Sequence, residues 1–544
     1  MATPTESEQP NLLSKNDPTN SPSGLPPSNG SPKRKWLRQL HWQAHWLLPN
    51  LIPGPYRSHR DYERDHDRKQ NERIRVPLEL DLRVNVIWGV ELYGSAEVDG
   101  LYSGLEKLGW KGAGAWNEKD SVLRWVRERR SFGAEAWLNV GSVLGKERRS
   151  NTSLIHNFAT LPPGVESLMV RVHQITSSLT AMVVGFELDE SLAQRYATEL
   201  NQDRTTYRRR SFRSRRWIES IGPENQKREA IEVARRDLRR MVGNWFGQHM
   251  PGFFSGLNRR ERFPTMELLT SQSGPIFHEP EHSPNNGFPN WRWTLANVSR
   301  HETWTYKDLP GLQLSMGGFR AGEEGLHILT ALDVAAFPKE RVEFYGGETM
   351  KAVLCVCHEE LQGILIHAST LEYLKEQLRD INVTRENLKK ARSGRRSVKR
   401  SLREISQFFD RTLGSPAVAR ELARKSKDLG WYNHDCPSFT TPGWRDGDKP
   451  RELPEKIRGG VNYLANRLTE EEVSIREHFE QVSAVLSVRE SIKAQRRMEW
   501  LTVLALVVAF ASLMVAFLPR DKLARDLDAL RKDVVSAFWQ AREG

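Results

Sequence analysis

Trp500 to Leu518 reads WLTVLALVVAFASLMVAFL, 19 residues without a charge, set between Arg496, Arg497 and Glu499 on one side and Arg520, Asp521 and Lys522 on the other. At about 1.5 Å per residue such a helix is roughly 28 Å long, close to the hydrocarbon thickness of a bilayer. Leu, Val or Phe fill eleven of the positions. At about 0.3 to 0.6 kcal/mol each on an insertion scale, they favour the membrane by something on the order of 5 kcal/mol, from which Thr502 and Ser512 subtract little. The alternative is a buried core helix, but core helices rarely lack a polar face over five turns. The run therefore predicts one transmembrane helix, and no other run in the chain resembles it.

The flanks extend this reading. Arg489, Lys493, Arg496 and Arg497 before the span are balanced by Arg520, Lys522, Arg525, Arg531 and Lys532 after it, so the positive-inside count sets no orientation. The first thirty or so residues are rich in Ser, Pro, Asn and Thr and contain no apolar h-region. That predicts a disordered leader, no cleaved signal, and a cytosolic amino-terminal part running to about residue 497. Upstream of the span no proline occurs back to Pro454, so Glu455 to Leu518 is expected to form one helix of roughly 95 Å. Val461, Leu464, Leu468, Ile475, Phe479, Val482 and Leu486 recur near every third or fourth position of it, interrupted by Glu471 and Glu472, which favours helix packing or a coiled-coil stalk. Ala505, Ala509, Ser512 and Ala516 form a small-residue seam in the span, and Leu523, Leu527, Leu530 and Val534 form a stripe after it; both favour a homo-oligomer, with Pro519 breaking the helix between them.

The remaining composition bounds the rest. The 544 residues are 38% hydrophobic, 28% charged and 9% aromatic, which excludes a polytopic membrane protein and a wholly disordered chain. A formal charge of +12 favours nucleic acid, anionic lipid or acidic protein without choosing among them. Cys355, Cys357 and Cys436 are too few for a disulfide framework, which points to a reducing compartment.

Reading forward, Lys33 to Leu51 is a basic aromatic stretch with Trp36, Trp42 and Trp46, suited to a membrane surface but expected to pack on the folded body because Pro49, Pro53 and Pro55 end it quickly. Residues 57 to 75 read as a solvated linker. From about 80 to 190 strand signals alternate with helical ones, and Met169 to Gln174 with Leu179 to Leu188 predicts a hairpin around Thr176 to Ser178. Residues 190 to 246 look helical and basic, and 250 to 325 irregular. Beyond Leu361 the pattern is helical, with Ile364, Ala368, Leu371 and Leu374 on one face, then a second helix over about 398 to 428 and a connection from Gly430 to Pro454.

This order of elements, with the segment SVRESIKAQRRMEWLTVLALVVAFASL from Ser487 to Leu513, resembles CorA-like divalent-cation transporters, in which a long helix runs from a cytosolic domain into the first membrane span. The resemblance covers about residues 360 to 518 and implies an oligomer and a divalent cation as the transported species. That family's first span ends in Gly-Met-Asn and a second span follows. Here the span ends Phe517, Leu518, Pro519, Arg520, and the charged final 26 residues cannot cross a bilayer. No family metal site carries over.

Local motifs add little chemistry. His278-Glu279-Pro280-Glu281-His282 has the letters of a zinc helix with Pro280 in its middle. Cys355, Cys357 and His358 end KAVLCVCHEE, which reads as a strand with both cysteines on one buried face. Gly141 to Lys146 lacks the spacing of a phosphate loop, Gly112-Ala113-Gly114 lacks the third glycine of a dinucleotide fingerprint, and no nucleophile elbow is present. Arg208, Arg209, Arg210, Arg213, Arg215 and Arg216, with Phe212 and Trp217, suit a solvated or acid-paired face more than anionic lipid or nucleic acid. Asn151, Asn297 and Asn382 open glycosylation sequons that a cytosolic location leaves unused.

The sequence thus predicts a leader and linker over 1 to 75, an α+β cytosolic domain over 76 to 355, a helical section over 356 to 453, a stalk helix over 454 to 499, a transmembrane helix over 500 to 518 and a short amphipathic tail over 519 to 544. The expected function is that of a non-enzymatic, single-pass, oligomeric membrane protein. Its partners are the lipid bilayer, further copies of the chain and, through basic clusters, anionic lipid rather than nucleic acid. No catalytic, cofactor or metal residue is assigned, a divalent cation entering by resemblance alone. The alternatives are a divalent metal-ion transporter or channel of magnesium or zinc type and a membrane-tethered enzyme using the 80 to 350 region.

Overall fold

A computed structural model describes residues 32–48, 51–52, 57–112, 121–133, 135–148, 157–210, 218–257, 262–277, 290–296, 298, 302–316, 325–343, 345, 347–392, 403, 414–428, 436–443, 445, 447–517 and 528–532. The chain forms two compact units, one from Met1–Pro77, Ala197–Val233 and Pro284–Asn297, the other from Leu78–Tyr196, Ala234–Ser283 and Val298–Gly544.

The strands among the described residues are β1 Arg83–Tyr93, β2 Ala136–Gly145, β3 Asn157–Ala159, β4 Val165–Thr176, β5 Leu179–Leu188, β6 Tyr207–Arg210, β7 Ile218–Ile221, β8 Thr265–Ser271, β9 Thr303–Tyr306, β10 Leu312–Ser315, β11 His327–Asp333, β12 Phe439–Thr441 and β13 Arg451–Glu452. The principal helices are α1 Pro32–Leu47, α2 Arg57–Ile74, α3 Pro223–His249, α4 Met350–Arg392, α5 Ser415–Lys425 and α6 Leu453–Phe517.

In the larger unit eleven strands make one sheet in the order β13-β12-β9-β10-β11-β8-β1-β5-β4-β2-β3. Pairing is antiparallel except between β8 and β11 and between β2 and β3. The expected hairpin is β4 and β5, turning at Ser177 and Ser178. β1, β4 and β5 are buried almost throughout because both faces are covered, so their apolar residues run on without strict alternation. The part of α3 from Ala234 covers one face. At Gly89 of β1 a Cβ would stand 2.3 Å from Val242 Cγ1 and 3.1 Å from Phe263, so only glycine lets α3 approach this closely. α4 covers the other face, and α6 packs on α4 in turn, with Gly460 facing Leu371.

Three local expectations change. KAVLCVCHEE is not a strand end: it lies in the first turns of α4, which is buried from Ala352 to Gln377 almost without interruption. In those first turns Lys351, Cys355 and Glu359, four residues apart, open a narrow side to water, so the apolar residues around them read as a strand as easily as a helix, and from Leu361 to Leu374 every residue is buried. The stretch 250 to 325 is not irregular throughout, since it supplies the fully buried β8 beside β1. Residues 57 to 75 form a helix rather than a linker. In the smaller unit Asp67 accepts from the Thr206 amide at 2.8 Å, Asn71 donates to the Arg204 carbonyl at 2.7 Å, Arg75 pairs with Asp203 at 2.9 Å and Glu63 pairs with Arg208. Those partners are more than a hundred residues away in the chain and invisible to a local reading.

Ala at Gly89 is expected to overpack the sheet against α3 and lower stability by about 1 to 3 kcal/mol. Ala at Gly459 of α6, where nothing lies within 4 Å, is expected to raise it by up to about 1 kcal/mol. Urea midpoints of the two variants against the parent chain check both signs.

Candidate functional site

α6 is one continuous helix of 65 residues. Its first half is anchored: Leu453, Ile457, Val461, Ala465, Leu468 and Ile475 are buried, Leu464 and Phe479 half-buried, and Glu471 pairs with Arg385 of α4. The two acids that interrupt the apolar stripe thus have partners, since Glu472 also meets Arg476 at 2.8 Å. The side chains of Val482 and Leu486 lie outside the described residues. Past this point burial ends. Ser491–Met514 is the one segment among the described residues long and apolar enough to cross a membrane, and none of it is buried within the protein.

Trp500 is 76% exposed and Phe510 65%, and Leu501, Val503, Leu504, Leu506, Val507, Val508 and Leu513 are exposed on all sides. A core helix would hide these side chains. The two hydroxyls make no outside demand, because Thr502 donates to the Met498 carbonyl and Ser512 to the Val508 carbonyl, each at 2.8 Å. Pro519, Leu523, Leu527 and Val534 lie outside the described residues; Leu530 is exposed.

The second concentration of polar chemistry is buried between the sheet and α4. Trp88 of β1 donates its indole N–H to His358 Nδ1 at 2.8 Å, with the rings stacked at 6.3 Å. Accepting there leaves the proton of neutral His358 on Nε2, which meets no hydrogen-bond partner. From β4, Arg171 reaches Glu359 at 3.3 Å and stacks over Trp137, while His173 Nε2 lies 3.4 Å from Gln362 Oε1. His367 is one more buried histidine of α4, and Lys425 of α5 donates to the Ile175 carbonyl and pairs with Glu135 at 2.7 Å. Burial, with Arg171 beside His173 and His358 and with Lys425 beside His367, pushes all three histidines down to about 3. They are neutral at neutral pH and act as packed polar links.

Two buried carboxylates complete the picture. On the α3 face, Glu267 of β8 accepts from Arg235 Nε at 2.9 Å and Tyr196 at 2.7 Å and lies 3.6 Å from His327. Burial opposes its charge, but Arg235 and then His327 hold it down to about 2, while burial and Arg239 depress His327. Glu91 of β1 accepts from the amides of Leu92, Phe254 and Ser255 at 3.0, 2.7 and 2.8 Å, yet its complete burial pushes it up to about 7.

The motifs singled out in the sequence do not converge on this chemistry. Cys355 is half-exposed and Cys357 buried, two residues apart on a helix and so on different sides of it, and burial raises both thiols, Cys357 to about 12. Gly141 to Gly145 runs along β2 as a strand, not a phosphate loop. Arg208 pairs with Glu63, whereas Arg213, Arg215, Arg216, Phe212 and Trp217 lie outside the described residues, as do His278 to His282, Ala113, Gly114, Asn151 and Asn297. No group of three or more His, Cys, Asp or Glu able to hold a metal ion occurs among the described residues. Trp88, Glu91, His173 and Glu267 carried no sequence signal, since each is a lone residue joined to partners from distant elements, and His358, noted in the sequence beside Cys355 and Cys357, is joined instead to Trp88. No protein-family model matches the chain, and neither a curated protein nor a solved structure matches it.

The histidines predict an acid limb. Below about 6.5 the unfolded chain takes up three protons that folded His173, His358 and His367 refuse until about 3, so stability is lost as pH falls through that window. Glu91 works the other way between 4.5 and about 7, because its folded form holds a proton the unfolded form has lost. Between about 4.5 and 6.5 three against one leaves two, a slope of roughly 3 kcal/mol per pH unit; below 4.5 Glu91 drops out and Glu267, held down to about 2, joins the histidines, so the slope steepens. His358→Gln, which keeps an acceptor for Trp88, is expected to flatten the slope by about 1.4 kcal/mol per pH unit in urea titrations.

Proposed function

We propose that this chain is a non-enzymatic, single-pass membrane protein whose sheet-bearing body faces the cytosol and is held at the bilayer by α6, the first part serving as stalk and the apolar part as span. The supporting observation is the complete exposure of Ser491–Met514 at the end of a helix whose other end is packed on α4. Water is a poor surrounding for that many apolar side chains, whereas lipid is a good one, and from Leu501 on, past the charged Lys493, Arg496, Arg497 and Glu499, a helix with self-bonded hydroxyls leaves no side-chain polar group unsatisfied there.

The small-residue seam Ala505, Ala509, Ser512 and Ala516 supports an oligomer, since it lets neighbouring helices approach closely. Divalent-cation transport is the second reading. It is favoured by the run of α6 from a sheet domain into the span, the order of elements in CorA-like transporters, and weakened by the absence of Gly-Met-Asn at the span's end.

In cell fractions the full chain is expected to resist carbonate extraction, and Leu504→Lys with Val507→Lys and Phe510→Lys to release it into the supernatant. A parent chain that carbonate releases defeats the proposal. Ala509→Leu is expected to weaken cross-linked oligomers in detergent about tenfold. Reconstituted protein that passes no magnesium or zinc ion across proteoliposomes ends the transport reading alone.

A further inference from the structure

α1 wears its apolar stripe on the outside. At 100° per residue Trp36, Leu37, Leu40, Ala44 and Leu48 fall within roughly 120° of arc. Trp36 and Leu37 are 63% and 58% exposed, Leu40 and Leu48 are exposed too, and Leu51 follows at 78%. The protein holds α1 beside that stripe rather than across from it: His45, about 60° past Leu48, is buried, with Nδ1 2.5 Å from the Ile52 carbonyl and Nε2 3.4 Å from Arg208, while Trp42 on the far side is 46% exposed. A helix that packs on a core turns its apolar side inward, whereas α1 leaves Trp36, Leu37, Leu40 and Trp42 outside.

The charge of the helix says what would cover the stripe. Between Pro32 and Leu47 stand Lys33, Arg34, Lys35 and Arg38, and no Asp or Glu. A second copy would bring four cations against four, which works against self-pairing. A negatively charged lipid surface answers both features at once, taking the Trp and Leu side chains into the headgroup and acyl boundary and the cations at the phosphates. We propose that α1 is an interfacial helix that lies on an anionic bilayer, a second membrane contact in addition to the span. It deepens the membrane reading without requiring the span: a stripe and a charge set of this kind bind vesicles whether or not Ser491–Met514 inserts.

The test uses the full chain carrying Leu504→Lys, Val507→Lys and Phe510→Lys, so that the span cannot insert; those side chains are exposed and support no part of the folded units. Flotation compares vesicles of phosphatidylcholine alone with vesicles containing about one third phosphatidylserine. At least tenfold more protein is expected on the anionic vesicles, and about half-molar salt is expected to remove most of that preference. Leu37→Glu with Leu40→Glu should abolish binding. Replacing Lys33, Arg34, Lys35 and Arg38 by Gln should leave the stripe intact and erase the lipid preference.

Equal flotation on both vesicles, absence of flotation, or flotation indifferent to both sets of changes overturns the proposal, as does a concentration-dependent dimer that Leu37→Glu and Leu40→Glu dissolve. The two membrane readings separate cleanly. A parent chain released by carbonate, together with a span-disabled chain that still floats on phosphatidylserine, removes the span and keeps the interfacial helix, and the converse pair of results does the reverse.

Discussion

The larger unit depends on α4 lying flat on the sheet, and that contact is organised around Trp88. Gly185 stands opposite Trp88 in the β1 and β5 register, and a Cβ there would come within 2.6 Å of the indole nitrogen. The missing side chain leaves the indole room to lie across the sheet and reach His358, so a bulky aromatic and its donor are buried together with the donor satisfied. Everything beyond follows from that seat, because α6 packs on α4 rather than on the sheet's central strands.

Desolvation decides how the buried polar groups behave. A charge in this interior survives only with a partner: Glu267 keeps its charge because Arg235 is 2.9 Å away, whereas the histidines beside Arg171 and Lys425 meet cations and stay neutral. The interior is therefore tied together by polar links of low net charge on the α4 face and by one ionised cluster on the α3 face. Such links select one register between elements, since a half-turn slip of α4 would strand the Trp88 donor and the Arg171 guanidinium. The outer parts of the chain follow the opposite logic. Ser491–Met514 and the stripe of α1 leave apolar surface uncovered, which for a water-surrounded protein is a standing cost and for a membrane-bound one is the binding energy itself.

Legibility followed the range of the deciding interaction. The β4 and β5 hairpin was readable because its two apolar runs and polar turn are adjacent in the chain, and the long proline-free helix was readable because helices are stabilised locally. β8 was not, because a seven-residue strand containing Glu267 and two threonines draws its identity from β1 and β11 on either side. The first turns of α4 were misread as strand for a related reason: their water-facing side runs along Lys351, Cys355 and Glu359, too narrow to mark a helix, leaving an apolar run that either structure explains. α2 looked like a solvated linker because its acids and bases find their partners on the segment from Asp203 to Arg208.

The sequence by itself determined that one uncharged, helix-long run exists near residue 500, that a proline-free helix leads into it, and that a basic aromatic stretch follows the polar leader, because composition and periodicity over a few turns suffice for each. Only the tertiary structure decided which apolar surfaces are spent on the core and which remain outside. That choice depends on what covers a side chain from elsewhere in the chain: α4 and the sheet find each other, while Ser491–Met514 and the outer stripe of α1 find no cover among the described residues. The same long-range placement set the charge states of Glu91, Glu267 and the three histidines, since a group's ionisation answers to its neighbours in space and to its distance from water.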